Sequence, residues 1–517
     1  MIEIQNLNII KKENNRVLLE NFNFILHEKD KVAIIGEEGN GKSTLIKAIY
    51  DLNLIKDYCY VTGNIINKGY KIGYLEQILD EKWNEEYVFD YFLKKHIDSE
   101  IDYSKYSETQ NILSYFSKFN LDKNIIDDNR TIKTLSGGEK IKIQLIKILL
   151  EDPDILLLDE PSNDLDIDTL LWLEEFIKDS NKAIMFISHD ETLLEKCATE
   201  IIHLEQIMKK TKAKYTICKT NYRNYIENRL HLIDKQNQIS INEKKDFDEK
   251  LKRWQKIYNR VDHEQRVISR QDPHGGFLLK KKMHCVKALG RRLEKEKNSL
   301  TKKVDSEDSI NISFDYHNDL NKSKIIYNEI ITPLKINDKI LSREVNLTIK
   351  AKDHLVIIGK NGIGKSTLLK IIYNSLKDKY KVGYMPQNYD DKLDLNSRVL
   401  DFICLNKDKE EITKAMTFLG SLKFSEEEMN GKIGELSGGQ KAKLLLIKLI
   451  LDKSEILILD EPTRNLSPLS NPVIRKVLKK FDGCVISISH DRKYIEEVSD
   501  IIYELNNYNL KRIYFHN

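Results

Sequence analysis

The chain has 517 residues, 40 % apolar and 32 % charged, with a net charge of +3; at ~150 residues per domain that length suggests two to four domains under a highly charged surface. No apolar run approaches the ~18 residues that span a bilayer, and MIEIQNLNII lacks the basic, apolar, small-residue succession of a signal peptide, which argues against a membrane-spanning or secreted chain and for a cytoplasmic one. The six cysteines (Cys59, Cys197, Cys218, Cys285, Cys404, Cys484) are scattered without a CxxC pair, so reduced thiols are expected rather than a zinc or iron–sulfur site.

In chain order, the first strong pattern is VAIIGEEGNGKSTLIKAIY. A short apolar strand, a Gly-rich turn and a helix make a P-loop. Gly36, Gly39 and Gly41 let the backbone wrap phosphates, and the helix that carries Lys42, Ser43 and Thr44 turns its N-terminus to the negative charge. Lys42 is expected to reach the β- and γ-phosphates of ATP, and Ser43 to ligate Mg²⁺. Glu38 is unusual. A carboxylate beside a triphosphate is electrostatically unhelpful, so either the site is altered or Glu38 points to solvent, and the solvent reading is the expectation.

Gln77, in KIGYLEQ, follows a short strand and can sense Mg²⁺ and the attacking water. LSGGE then opens a helix with an apolar stripe. Ser136 can cap it, and Gly137 and Gly138 allow close backbone approach, which suits this helix N-terminus to a γ-phosphate. ILLLDE reads as a buried strand ending in Asp159, which should hold Mg²⁺, and Glu160, which should polarise the attacking water. His189, after the strand FIS, can contact the γ-phosphate.

Residues 219–305 carry another pattern. Phe247, Leu251, Trp254, Tyr258, Val261, Gln265 and Ile268 step 4-3-4-3-4-3, as do Leu279, Met283, Val286, Gly290, Leu293, Lys297 and Leu300. The steps predict two heptad-patterned helices in an antiparallel hairpin. The first, from about Asn224 to Gln271, can reach ~70 Å at ~1.5 Å per residue. DPHGG marks the turn, with Asp272-Pro273 breaking the first helix and Gly275 and Gly276 allowing positive φ. Residues 250–303 hold 17 Lys/Arg and 5 Asp/Glu, a local +12 that leaves −9 for the rest. Such a charge is the footprint of a polyanion. Arg266, Arg270, Lys280, Lys281, Lys282, Lys287, Arg291 and Arg292 crowd the turn end, and His274 belongs to the tip. Phe277 is either an apolar probe or the hydrophobic cap of the hairpin.

The motifs then recur in the same order, 301 to 323 residues on. The second P-loop supplies Gly359, Asn361, Gly362, Gly364, Lys365, Ser366 and Thr367. Gln387 matches Gln77, and Ser437, Gly438 and Gly439 match the first LSGG. Asp460, Glu461 and His490 repeat the acids and the histidine. The repeat units are roughly 1–218 and 306–517, an α/β pair of tandem P-loop ATPase domains around the hairpin.

This set resembles the ATP-binding cassette (ABC) superfamily. The resemblance implies two ATPs sandwiched head to tail within one chain, with no obligate partner subunit. Site one would join Lys42 to Ser437, and site two Lys365 to Ser136. Two cassettes with a basic hairpin linker resemble the ABC-F proteins, which bind the ribosome near the tRNA exit site and direct the linker at the peptidyl-transferase centre. Large-subunit rRNA and tRNA are therefore the implied partners. The first cassette reads DEPSNDLD and the second DEPTRNLSPLSNP. Ser467 in place of the last Asp looks like the Vga/Lsa-type antibiotic-resistance branch. Only 58 positions separate Gln77 from Leu135, against 49 from Gln387 to Leu436, which leaves little room for the arm of housekeeping members. The alternatives are a housekeeping ABC-F translation factor and the tandem ATPase subunit of an importer.

Overall fold

The computed structural model describes residues 2–127, 129–207, 212–267, 273–301, 321–336, 339–404, 409–422 and 424–513. They form two units: Met1–Tyr222 with Ile310–Asn517, and Arg223–Ser309.

The first unit holds two six-stranded sheets of the same order. One runs Ile72–Leu75, Ile155–Asp159, Ala183–Ile187, Lys31–Ile35, Glu200–Ile207, Lys212–Cys218. Its repeat runs Val382–Met385, Ile456–Asp460, Cys484–Ile488, His354–Ile358, Ile501–Leu505, Leu510–Ile513. All neighbours are parallel except the last pair in each sheet. The central strands are continuous apolar runs because both faces are covered; Ile155–Asp159 and Ile456–Asp460 are buried throughout. Ile2–Lys11, Val17–Leu26 and Cys59–Asn67 form a separate antiparallel sheet. It closes a core with the P-loop helix Lys42–Tyr50, where Phe22, Leu45 and Ile46 are fully buried.

This topology sets the chemistry at one end of each sheet. The P-loop leaves the strand Lys31–Ile35 and Asp159 ends the strand two places along, so both lie at the C-terminal strand ends, where open α/β sheets bind ligands. Gly36 has φ 148°, and a Cβ there would stand 2.4 Å from the Leu204 carbonyl oxygen, so both the dihedral and the space require glycine.

The second unit is two helices, Tyr222–Val267 and Pro273–Ser299. The heptad positions Phe247, Val261, Met283, Val286 and Leu293 are buried, with Leu251, Trp254 and Tyr258 half-buried between them. The Trp254 indole donates to the Val286 carbonyl at 2.8 Å. A Cβ on Gly290 would lie 2.9 Å from that ring, so the glycine makes room for the tryptophan. Lys297, expected on the same stripe, is exposed. Its long side chain keeps the ammonium in water.

The turn also differs from expectation. Gly275 and Gly276 lie in the first turn of the second helix, and neither has positive φ. Pro273 opens that helix, a position where its fixed φ fits and its missing N–H costs nothing. Arg270, Ile268 and Asp272 lie outside the described residues. Phe277 is 67 % exposed and Leu278 47 %, so Phe277 does not cap a hairpin core.

Candidate active sites

Each P-loop lysine is held by its own loop. Lys42 Nζ donates to the Gly36 and Glu37 carbonyls at 2.9 and 3.2 Å, and Lys365 Nζ to Gly359 and Lys360 at 2.7 and 3.0 Å. Burial lowers the pKa of Lys42, while Glu160, Glu38, Asp159 and Glu37 oppose that shift. Both lysine side chains therefore donate into a ring of backbone oxygens of their own loops, a placement suited to phosphate.

Ser43 donates to Asp159 Oδ1 at 2.9 Å. Asp159 is 1 % exposed, its Oδ2 has no hydrogen-bond partner, and burial lifts its pKa to about 6. A buried carboxylate oxygen left unpaired beside a hydroxyl fits a dication that takes only one or two protein ligands and otherwise phosphate and water. Ser43 and Asp159, with Ser366 and Asp460 in the repeat, would hold Mg²⁺, and the ion would neutralise charge on the phosphates.

The acids that follow sit on strained backbone. Glu160 has φ 51° and Glu461 φ 54°, and Asp164 and Asn465 are also left-handed at 57° and 61°. Unfavourable dihedrals repeated in both copies are a mark of a functional segment. Glu160 accepts from Gln77 at 2.8 Å and Asn163 at 2.5 Å, and His189 Nε2 lies 3.1 Å away. Burial pushes its pKa up, but His189, Lys42 and Asn163 outweigh that and bring it to about 2. Glu461 has fewer donors. It accepts from the His490 backbone N–H at 3.3 Å, and the His490 ring stands 3.7 Å off. Burial, then the charge of Asp460, raises Glu461 to about 8, and burial lowers His490 to about 4. A dication on Asp460 would remove the second of the causes raising Glu461.

The two P-loops face opposite cassettes. A cavity of about 420 Å³ in site two is lined by Asn361, Gly362, Gly364, Lys365, Ser366, Thr367, Gln387, Asp460, Glu461 and His490. Asn163, Asp164 and His189 reach it from the first cassette. Asn361 donates to the Asp164 carbonyl at 2.6 Å, and the space beside Gly137 ends on that same oxygen. Ser136 is exposed and not part of the lining, although it caps the helix Gly137–Leu150 in a reciprocal box with Glu139. Ser437 caps Gly438–Leu451 in the same way with Gln440.

Glu38 does not point to solvent. Its Oε2 accepts from the Gly439 N–H of the other cassette at 2.8 Å. A helix N-terminus is a better environment for a carboxylate than expected from the loop sequence alone.

Two features escaped the sequence reading. Arg464, in the place of Asn163, turns from Glu461 to pair with Asp164 of the first cassette at 2.7 Å. Arg475, 2 % exposed, donates twice to Glu191 at 2.6 and 3.2 Å and to Glu497 at 2.9 Å. The one sequence signal for the first is that the repeats differ there, SND against TRN. Arg475 carries no local signal, since an arginine on a helix is usually exposed. Ser467 is buried and turns to Ser470 at 3.0 Å, whereas Asp166 caps its helix through the Thr169 N–H.

A family profile described as ABC transporter matches residues 19–163 and 342–464, together more than half of the chain. ATP-binding protein Uup of Buchnera aphidicola subsp. Schizaphis graminum is 32 % identical over 504 residues, covering 93 % of this chain and 76 % of that protein. Ribosome protection protein VmlR of Bacillus subtilis is 26 % identical over 516 residues, covering 95 % and 85 %. Among solved structures, archaeal ribosome recycling factor aABCE1, in complex with the stalk protein aP1, superposes with a TM-score of 0.59 at 19 % identity, covering 98 % and 89 %; that likeness is one of fold. Among the described residues no helix is long and apolar enough to cross a membrane. With two nucleotide sites built from repeated motifs and relatives spanning nearly its whole length, the chain belongs to the ATP-binding cassette family, as an ABC-F ATPase with tandem cassettes.

Proposed function

We propose that the chain binds the ribosome near the tRNA exit site and uses ATP to carry the hairpin tip into the peptidyl-transferase region, dislodging antibiotics there. The supporting observation is the hairpin, a local +12 with Phe277 and Leu278 exposed at its turn end. A polycation suits rRNA phosphates, and an exposed aromatic ring suits stacking on an unpaired base. The name of VmlR, a relative along 95 % of the chain, is consistent with this reading. Residues 1–218 and 306–517 are the two ATPase domains and 219–305 the linker.

The proposed roles follow the geometry. Glu160 and Glu461 polarise water, Gln77 donating to the first and Gln387 lining the same cavity as the second, with His189 and His490 serving the γ-phosphate. Lys42 and Lys365 bind phosphate, and the Ser136 and Ser437 helices close on it from the opposite cassette.

Lys280, Lys281 and Lys282 are exposed. Replacing all three by Ala should weaken ribosome binding and flatten the slope of log K against log salt by roughly 0.7 to 0.9 for each phosphate no longer neutralised. An unchanged slope assigns them to solvent. Arg266 pairs with Asp262 at 2.7 Å and should contribute less.

The finer claim is tested in a drug-sensitive strain. Expression should raise the inhibitory concentration of a peptidyl-transferase drug, and Phe277→Ala should remove at least about half of that gain. Ribosome affinity, spread over many phosphates along the arm, should stay near the parent's. No protection by the parent chain favours a general translation factor with the same ribosome site.

A further inference from the structure

The two P-loops differ at Asn40 against Ile363 and at two adjacent positions, Glu37-Glu38 against Lys360-Asn361, and the structure turns the adjacent pair into a contact. Glu38 Oε2 takes the Gly439 N–H at 2.8 Å. Gly439 is the second residue of the helix Gly438–Leu451, whose cap is Ser437. A Cβ on Gly439 would stand 2.9 Å from Glu38 Oε1, so the carboxylate lies flat against the glycine. Glu37 Oε1 lies 3.8 Å from Lys443 Nζ, one turn further along that helix. Both acids of the first loop therefore hold the helix Gly438–Leu451 of the second cassette.

Site two is built otherwise. Asn361 brings no charge and donates to the Asp164 carbonyl. The space beside Gly138 is filled by Thr169 of its own cassette rather than by a P-loop side chain. Ser136 is exposed where Ser437 is half-buried.

We propose that Glu38 is a built-in competitor of the terminal phosphate at site one. The amide of Gly439 has one hydrogen to donate. Glu38 and a γ-phosphate are both anions suited to a helix N-terminus, so ATP closes site one only by displacing a protein carboxylate. ADP, which has no γ-phosphate, meets no such competition. Site one therefore discriminates less between ATP and ADP than site two. This rests on the reading of both sites as ATP sites and sets how unequal they are.

The test uses the full chain with Lys365→Ala and Glu160→Gln, so that only site one binds strongly and no turnover intervenes there. Dissociation constants for Mg-ATP and Mg-ADP are measured by equilibrium dialysis with radiolabelled nucleotide. Adding Glu38→Asn should tighten ATP by about 5- to 30-fold, the effect of removing an anion from a partly buried helix N-terminus. ADP should change less than about twofold. Glu38→Gln, nearly the same shape, should act in the same direction. Should both variants leave the ATP-to-ADP ratio where it was, or weaken ATP with a lower melting temperature, Glu38 is a structural staple and the proposal falls alone. Should the parent bind neither nucleotide at site one, while Lys42→Ala changes nothing, the reading of the site falls with it.

Discussion

Replacing Glu160 and Glu461 together by Gln is expected to lower ATP turnover at least about 100-fold, within the usual range for loss of a general base. ATP binding should survive, because the phosphate cradle is made by other groups, Lys42 and Lys365 with their loop carbonyls. The change is nearly isosteric, but Glu160 accepts from two amides on one oxygen, with the His189 ring on the other, so a glutamine keeps both amide bonds only if its N–H₂ faces His189 with that ring nitrogen unprotonated. A melting temperature a few degrees lower is therefore compatible with the assignment. Turnover at the parent rate is not. The single variants divide the loss between a site whose acid has three side-chain neighbours able to donate and one whose closest donor is a backbone N–H.

The second large effect concerns Arg475. Burial works against its charge, yet Glu191, Glu497 and Asp491 together raise its pKa. Arg492 reaches Asp190 and Glu174, and Lys493 reaches Glu195 and Glu191, so one helix pair of the second cassette meets acids of the first. Arg475→Ala should cost about 3–5 kcal/mol, since it strands Glu191 as a buried carboxylate without its bidentate partner. Thermal unfolding reads this as a drop of the main transition or as separate melting of the cassettes. Arg475→Met combined with Glu191→Leu should recover most of that stability, because the buried carboxylate goes with its partner, while Glu497 is exposed enough to be solvated and Lys493 keeps Glu195. A full loss in the pair as well would mean that packing, not charge, holds this interface.

What the sequence disclosed follows from range. Motifs confined to one strand and one turn, such as VAIIGEEGNGKST and ILLLDEP, were legible because their chemistry is local, and the sheet places them at one edge. The hairpin was legible because a 4-3 step is a local rule that two helices obey jointly, down to the half-buried Trp254 over Gly290. Contacts between cassettes were not. Glu38 and Gly439 are 401 residues apart, and Arg475 and Glu191 are 284 apart. No periodicity links such pairs, so Glu38 read as a solvent-facing acid. The glycines at 275 and 276 misled for another reason. Two glycines after Asp-Pro match a turn, but Pro273 at a helix start stabilises the first turn enough to carry them into it.

The claim that ATP drives this chain onto the ribosome is tested most directly by sedimentation. The Glu160→Gln, Glu461→Gln variant is mixed with purified 70S ribosomes and run through a sucrose gradient with Mg-ATP or Mg-ADP. The account predicts near-stoichiometric co-migration with the ribosome in ATP and at least about tenfold less in ADP, with the ATP-bound fraction falling as salt rises because the hairpin meets phosphate. A variant that binds ATP yet stays at the top of the gradient in both nucleotides would contradict it.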